Sequence, residues 1–326
     1  MESRLDAQNT TVVDVTYFCN ATCRYCQWGN RNTPGRAHQE LEKILLPRTT
    51  LESLGTERIV LSGGEPRTRP DIESILRYYK TLVQDVIVIT NGYGLDEAEV
   101  QRLTSAGATG IAVSLDSVFP DEATKTRMTP PKLHSQIVSN LEKIAASPRR
   151  FELGINSVVS HPTANWRNVR ALLEFGRRIG VQFIKFQPIF DDGYVGSNAP
   201  ELRLGRDDAE SLAEIAGSIE TVERPVTNPQ SFWIDLVRLL QGGHLDPSAC
   251  GLGTRHSMVT GTNLGICYWL DSSHFGNSGE SVSEGRAKDA RTSFESEKLR
   301  CKVGFQCFCT QNISHTWTGG PDKRSI

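Results

Sequence analysis

Three cysteines near the start of the chain have a spacing that suits the binding of an iron–sulfur cluster. Cys19, Cys23 and Cys26 are separated by three and then two residues, and they follow a β-branched run that predicts a strand over residues 11–17. Thiolates are the soft ligands of such clusters, and three of them leave one iron of a cubane open for chemistry. The alternative is structural zinc, but no fourth cysteine or histidine follows before His38.

A second group of cysteines lies near the other end of the chain. Its members are Cys250, Cys267, Cys301, Cys307 and Cys309. Four thiolates saturate a cluster or a zinc ion, so one of these five is surplus. A surplus thiol is either a buried bystander or a hydrogen-atom donor, because an S–H bond is weaker than a typical C–H bond. Cys250 is the first candidate donor, although its Cys-Gly-x-Gly context is also that of a ligand.

The first motif, with aromatic Tyr25 just before its last cysteine, resembles the signature of the radical S-adenosylmethionine (radical SAM) enzymes. The resemblance implies that the open iron binds the amino and carboxyl groups of the methionyl moiety. It also implies that an electron from the cluster cleaves the sulfonium to a 5′-deoxyadenosyl radical, which abstracts a substrate hydrogen. A flavodoxin- or ferredoxin-type protein is the expected electron donor.

The same resemblance places S-adenosylmethionine against the loops that follow successive strands. Gly63-Gly64-Glu65-Pro66 matches the family's GGEP motif, whose glycines let the backbone approach the ligand and whose acidic side chain engages the methionine ammonium. Arg127 is expected to pair with the methionine carboxylate, with a surface position as the alternative. The other predicted cofactor-binding residues are Tyr25, Asn91, Ser114, Asp116, Asn156 and Gln187. For Asn91, Ser114 and Asp116, a capping or turn role is the alternative.

The late cysteines are similar to the shortened, twitch-type auxiliary-cluster domain, or to a truncated SPASM domain, that follows the barrel in some radical SAM enzymes. This chain departs from both, because it has a Cx5CxC element in place of a CxxC pair and five cysteines in place of seven. The resemblance therefore implies one auxiliary [4Fe–4S] cluster, and a tetrahedral zinc site is the alternative.

The elements that must position these residues alternate between strand and helix, which predicts a parallel sheet with helices on its outer face. The predicted strands are 11–17, 58–62, 86–90, 110–114, 152–159 and 182–187. The predicted helices are 38–54, 71–82, 96–106, 133–146 and 165–179. Six repeats are too few for an eightfold barrel of roughly 250 residues, and the resemblance implies a partial (β/α)6 TIM-like barrel. The working residues of such folds lie at the carboxyl ends of the strands.

The predicted fold class is α/β, with a small cysteine-rich domain after the barrel. We expect the barrel in 1–205, a helical connection in 206–241 and the auxiliary-cluster domain in 242–326. The connection contains predicted helices over 207–221 and 230–241. From Gly242 onward there is little regular period, which is typical of a small domain held together by metal.

The bulk properties exclude several classes of protein. The 326 residues suffice for one large domain and an appendage, and the net charge of −2 gives no reason to expect a nucleic-acid or anionic membrane partner. No apolar run approaches the ~20 residues of a membrane span, and the first residues lack a secretory signal. We therefore expect a cytoplasmic protein, in which clustered cysteines serve metal binding or catalysis.

The expected substrate is a small molecule, because only 18 residues precede Cys19 and leave no room for a leader-binding domain. Asp191 and Asp192 suit an aminated sugar or a polyol, with a solvated loop as the alternative. The predicted reaction is hydrogen abstraction from a carbohydrate-like molecule in antibiotic biosynthesis, followed by epimerisation through a cysteine donor. The alternatives are dehydrogenation of an alcohol with the auxiliary cluster as electron acceptor, a peptide maturase with a separate leader-binding partner, and a non-catalytic metal-binding protein.

Overall fold

The fold is known from a computed structural model. It describes residues 9–29, 37–189, 199–223, 225–243, 256–260, 263–266, 274–277 and 279–298. Its strands are β1 (Thr10–Thr16), β2 (Arg58–Gly63), β3 (Asp85–Thr90), β4 (Gly110–Ser114), β5 (Glu152–Val159), β6 (Phe183–Pro188), β7 (Val226–Thr227), β8 (His256–Thr260), β9 (Asn263–Gly265) and β10 (His274–Asn277). Its α-helices are α1 (Leu41–Ile44), α2 (Arg48–Leu54), α3 (Ile72–Lys80), α4 (Glu97–Ser105), α5 (Pro120–Arg127), α6 (Pro131–Ala146), α7 (Trp166–Ile179), α8 (Ala209–Ser218), α9 (Gln230–Leu240) and α10 (Glu284–Lys298).

The strands form one sheet in the order β10-β9-β8-β1-β2-β3-β4-β5-β6-β7. Strands β1 to β6 are parallel and follow the order of the chain, with helices between them, so the predicted α/β fold is confirmed. β8 runs parallel to β1, and β9 and β10 continue that edge antiparallel. The described strands after residue 242 thus extend the barrel sheet, and the predicted division of the chain into three domains remains a prediction.

Three helices differ from the sequence prediction. The predicted helix 38–54 is divided into α1 and α2 just before Pro47, because proline removes a backbone donor and clashes with the preceding turn. The helix α5 was not predicted. Nor was α10, whose buried Ala287, Ala290 and Phe294 form one narrow apolar stripe on an otherwise polar helix.

The two faces of the sheet have different surroundings. Side chains alternate between the two faces along each strand. On one face, residues such as Val13, Leu61 and Val113 belong to the large core between the sheet and its helices. The residues that alternate with them along the strands face the inside of the barrel. There, Ile87, Ala112 and Phe183 form a separate small cluster, with Val60 and Ile89 packed against it. The amino-terminal half of the barrel is therefore filled with apolar side chains, and the space for a ligand lies at the carboxyl ends of the strands. Among the described helices, none combines the length and apolar character needed to cross a membrane.

Candidate active site at the carboxyl ends of the strands

The loop that carries the three cysteines leaves β1 at the carboxyl edge of the sheet. Its buried residues Ala21, Cys23 and Tyr25 pack against Ile189 and Leu202, in the segment that follows β6. The loop is therefore held between β1 and the segment that follows β6, as expected for residues that work at the mouth of this fold.

Two contacts that the sequence analysis missed close the base of this loop. The rings of Tyr17 and Trp28 stack with their centroids 4.1 Å apart and an interplanar angle of 10°. A Cβ atom at Gly29 would lie 2.5 Å from the carbonyl oxygen of Cys23, so only glycine fits there. The available signal was an aromatic residue on each side of the motif and a glycine just after it.

Cys19, Cys23 and Cys26 belong to one packed cluster of side chains, in which Cys23 is buried and the other two are partly buried. Burial, with a smaller contribution from the charges of neighbouring cysteines, raises the pKa of each cysteine to about 11. N–H groups oppose this effect: Ala21 N–H lies 3.4 Å from the sulfur of Cys19, and the amides of Trp28 and Gly29 lower the pKa of Cys26. Clustered thiols that need a cation to become thiolates, with N–H donors directed at their sulfurs, fit the ligands of an iron–sulfur cluster.

The described residues contain no preformed site for a single metal ion. Within the part of the chain that the structure describes, no three Cys, His, Asp or Glu side chains are gathered closely enough to hold one ion. The assignment of the loop to a cluster therefore depends on its three thiols and their N–H donors, and not on a compact mononuclear site.

The GGEP segment contacts the cysteine loop directly. Gly63 has a φ of 106°, and a Cβ atom there would lie 2.2 Å from the carbonyl oxygen of Thr16. A Cβ atom at Gly64 would lie 2.1 Å from the carbonyl oxygen of Phe18. The amides of Gly64 and Glu65 donate to the carbonyls of Thr16 and Phe18 at 2.6 and 2.8 Å. The close backbone approach that these glycines permit is thus to the residues before Cys19, and their predicted approach to the cofactor remains a prediction.

Alanine at Gly64 is therefore expected to destabilise the protein. The clash is with backbone atoms, which cannot rotate away, so we expect Gly64→Ala to lower the free energy of unfolding by about 1–3 kcal/mol and to reduce cluster incorporation. Gly217→Ala in α8 is the matched control, because a Cβ atom there meets nothing within 4 Å. That variant should be neutral or more stable by up to about 1 kcal/mol. Anaerobic urea denaturation and iron content measure both effects, and equal behaviour of the two variants would contradict the assigned role.

Glu65 is a buried carboxylate that joins two strand ends. It is 1% exposed, and its oxygens accept hydrogen bonds from the amides of Asn91 at 2.6 Å and Arg67 at 3.2 Å. Burial raises the pKa of Glu65, whereas these amides and the charge of Arg67 lower it. The side chain fixes β2 against the end of β3, and its predicted contact with the methionine ammonium remains a prediction.

Asn91 connects the end of β3 to the cysteine loop. Its side-chain amide donates to the side chain of Asn20 at 2.7 Å and lies 3.9 Å from the sulfur of Cys19. Its side-chain oxygen accepts from the amide of Tyr93 at 2.9 Å. The predicted position beside the cofactor site is therefore compatible with the structure, in which Asn91 touches the first cysteine.

Asp116, Arg127 and Tyr25 form a buried polar group behind the loop. Nε of Arg127 lies 2.9 Å from Oδ2 of Asp116, and the hydroxyl of Tyr25 donates to the same oxygen at 2.9 Å. Oδ1 of Asp116 accepts from the amide of Val158 at 2.9 Å. Burial lowers the pKa of Arg127, but the charges of Asp116, Tyr25 and Cys23 outweigh it, and the pKa lies well above its ordinary value. Burial and Asp116 likewise raise the pKa of Tyr25, so its hydroxyl remains a donor.

This group supports the loop from behind. Arg127 lies 3.9 Å from the sulfur of Cys23, and its side chain is 12% exposed. The carboxylate that it contacts is that of Asp116, so Arg127 has a partner within the protein. Its predicted pairing with the methionine carboxylate, and the predicted cofactor contacts of Tyr25 and Asp116, remain predictions.

Three other predicted cofactor residues lie on neighbouring strands. Ser114 at the end of β4 is level with Asn156 of β5, and Val158 of β5 is level with Gln187 of β6. Ser114, Asn156 and Gln187 alternate with core residues along their strands, so they face the inside of the barrel. The five late cysteines, including Cys250, and the pair Asp191 and Asp192 lie outside the described residues.

Comparison with known families and sequences gives consistent matches. The model of the radical SAM superfamily matches residues 13–183. A probable GTP 3′,8-cyclase of Methanococcus maripaludis is 32% identical over 196 residues, which is 58% of this chain and 63% of that protein. The GTP 3′,8-cyclase of Acaryochloris marina is 34% identical over 184 residues, 52% of this chain and 54% of that one. The chain thus spans between about half and two thirds of the length of these relatives.

Solved structures show the same fold. The anSMEcpe structure with bound AdoMet superposes with a TM-score of 0.60 at 16% identity, over 95% of this chain and 94% of that one. Streptococcus suis SuiB bound to S-adenosylmethionine has a TM-score of 0.60 at 14% identity, over 86% of this chain and 65% of that one. At these identities the likeness concerns the fold alone.

Proposed function

We propose, from the premise that this chain belongs to the radical SAM superfamily, that it abstracts a hydrogen atom from a small, carbohydrate-like substrate. The observation that carries the proposal is the convergence of Cys19, Cys23 and Cys26 at the carboxyl ends of parallel strands, directly against the GGEP segment. The cysteines would hold a [4Fe–4S] cluster, and Gly63 to Pro66 with Asn91 would border S-adenosylmethionine. When bound, these two groups supply a 5′-deoxyadenosyl radical.

The preferred outcome is epimerisation. After hydrogen abstraction the substrate carbon is a radical, and a thiol on the opposite face returns a hydrogen atom and inverts the centre. The thiol becomes a thiyl radical, which one electron and one proton restore, and a flavodoxin- or ferredoxin-type donor supplies the electron. The support is the cysteine count, because five late cysteines exceed by one the four that an auxiliary cluster requires. Cys250 is the proposed donor.

The alternative outcome is oxidation of an alcohol. The carbon radical then loses one electron and the hydroxyl proton to become a ketone, and the late cysteines would hold the cluster that takes the electron. Both outcomes begin with the same abstraction, so formation of 5′-deoxyadenosine alone does not separate them.

Solvent labelling separates the two outcomes. With an aminated sugar or cyclitol that supports 5′-deoxyadenosine formation, turnover in D2O is expected to place one solvent-derived deuterium at the inverted carbon, because thiol hydrogens exchange with solvent. Mass spectrometry and NMR of the product measure this. Cys250→Ser is expected to keep 5′-deoxyadenosine formation and to lose the labelled epimer. A ketone or aldehyde without deuterium would contradict epimerisation, and a loss of about four irons from Cys250→Ser would show that Cys250 is a cluster ligand.

A second candidate follows from the relatives, which are named GTP 3′,8-cyclases. Identity of 30% or more over the matched residues favours a shared type of radical reaction. The match nevertheless leaves a third or more of each relative uncovered. Incubation of the reduced, cluster-loaded chain with GTP and S-adenosylmethionine tests it. GTP-dependent 5′-deoxyadenosine and a cyclised nucleotide would favour the cyclase, and we expect neither.

A further inference from the structure

Asp14 is a charged residue inside the barrel whose side chain forms no hydrogen bond or ion pair with the described cysteines or with the residues of the GGEP segment. Asp14 lies on β1 between Val13 and Val15, both of which belong to the core between sheet and helices. By alternation along a strand, Asp14 therefore faces the inside of the barrel. It is level with Ser62 of β2, and the register of the two strands shifts between Asp14 and Thr16. Such irregularities redirect side chains and are common beside active sites.

Asp14 is a largely buried residue whose side chain has no polar partner among the described residues. The residue is 6% exposed, and among the described residues no hydrogen bond or ion pair reaches its side chain. Burial raises its pKa to about 7. By contrast, the buried carboxylates of Glu65 and Asp116 both have N–H partners. An uncompensated buried carboxylate is costly and is retained where it serves a ligand.

We infer that Asp14 is a substrate-binding residue whose carboxylate pairs with an ammonium group of an amine-bearing sugar or cyclitol. The inference rests on the proposed function and narrows its substrate class. The position supports it, because Asp14 stands at the carboxyl end of a barrel strand, five residues before Cys19. A ligand ammonium supplies the missing opposite charge and forms a charge-assisted hydrogen bond.

The charge of Asp14 also disfavours another class of substrate. A carboxylate repels a triphosphate, and the cation that the described part of β6 places on the inner face is Lys185. Lys185 is level with Asn156 and already takes part in an interaction of its own. The inner face near β1 therefore favours a cationic group of a ligand over a triphosphate.

Binding to the anaerobically reconstituted full chain tests the inference without requiring turnover. The probes are a panel of aminated sugars and cyclitols, each with its N-acetylated counterpart, and GTP. Titration calorimetry is expected to show at least one amine that binds about tenfold to a hundredfold more tightly than its N-acetylated form. Asp14→Asn should abolish this preference while melting at a temperature at least as high as the wild type, because it removes an uncompensated charge. Asp121→Asn, at an exposed carboxylate, makes the same change in net charge and should keep the preference.

Each other outcome counts against the inference. A preference that survives in Asp14→Asn, the absence of any amine-dependent binding, or tighter binding of GTP than of every amine would overturn it. A marked loss of stability in Asp14→Asn would assign the residue to the fold. The proposed function fails by a different result, the absence of 5′-deoxyadenosine from the reduced, cluster-loaded protein, and amine binding can be measured in either case.

Discussion

The triple variant Cys19→Ala/Cys23→Ala/Cys26→Ala is expected to retain about four irons where the anaerobically reconstituted wild type holds about eight, from the stoichiometry of two [4Fe–4S] clusters. The reason is that these three thiols are the proposed ligands of the first cluster, and the N–H groups near Cys19 and Cys26 favour their thiolate forms. Production of 5′-deoxyadenosine from S-adenosylmethionine should fall to background in the same variant. Iron and acid-labile sulfide assays with chromatography of the nucleoside measure the two effects.

Thr22→Ala is the control for this variant, because Thr22 lies on the same loop between two of the ligands and has no thiol. It should retain about eight irons. If the wild type holds only about four, the auxiliary cluster is lost from the assignment, and with it the argument for a surplus thiol. If the triple variant keeps all its iron, the cluster does not sit on this loop.

The strands of the barrel could be predicted closely from the sequence. The predicted strand 152–159 coincides with β5, and the predicted strand 58–62 differs from β2 by one residue. Strands of a parallel sheet are buried on both faces and read as continuous β-branched runs, so their ends are visible. The helix α10 could not be predicted in the same way, because its three buried positions are separated by charged residues and its packing against α2 joins distant parts of the chain.

The motifs of the site could be found from the sequence, but the contacts of their residues could not. The sequence shows that Gly64 follows β2, but it does not show that a Cβ atom there would meet the carbonyl oxygen of Phe18, far away in the chain. The spacing of Asp116 and Arg127 does not say whether they face a ligand or each other. Asp14 stands within an apolar run, where one charge gives no hint of its surroundings. Such contacts are set by register and by the crossing of loops, which local pattern does not encode.

A substitution of Arg127 distinguishes pairing with Asp116 from pairing with the methionine carboxylate. Arg127→Met is expected to lower the free energy of unfolding by about 3–5 kcal/mol, because it leaves the carboxylate of Asp116 buried without its cation. The side chain of Asp116 is 0% exposed, so water cannot replace the guanidinium. Anaerobic urea denaturation measures the loss. Arg24→Met is the matched control, since Arg24 lies on the cysteine loop and pairs with Glu201 at the surface, where both side chains are 41–50% exposed. Its loss should not exceed about 1 kcal/mol.

A double-mutant cycle then assigns the cause of the loss. Asp116→Asn keeps an oxygen for the amide of Val158 and removes the charge, so Arg127→Met/Asp116→Asn should be more stable than the sum of the single changes by about 1–3 kcal/mol. If Arg127 instead held the methionine carboxylate, Arg127→Met would keep its stability, weaken S-adenosylmethionine binding by about tenfold or more, and show no coupling to Asp116. The ion pair between Arg127 and Asp116 would then make no measurable contribution to the stability of the protein. Coupling together with a large loss of stability would mean that Arg127 supports Cys23 while its own charge is paired with Asp116.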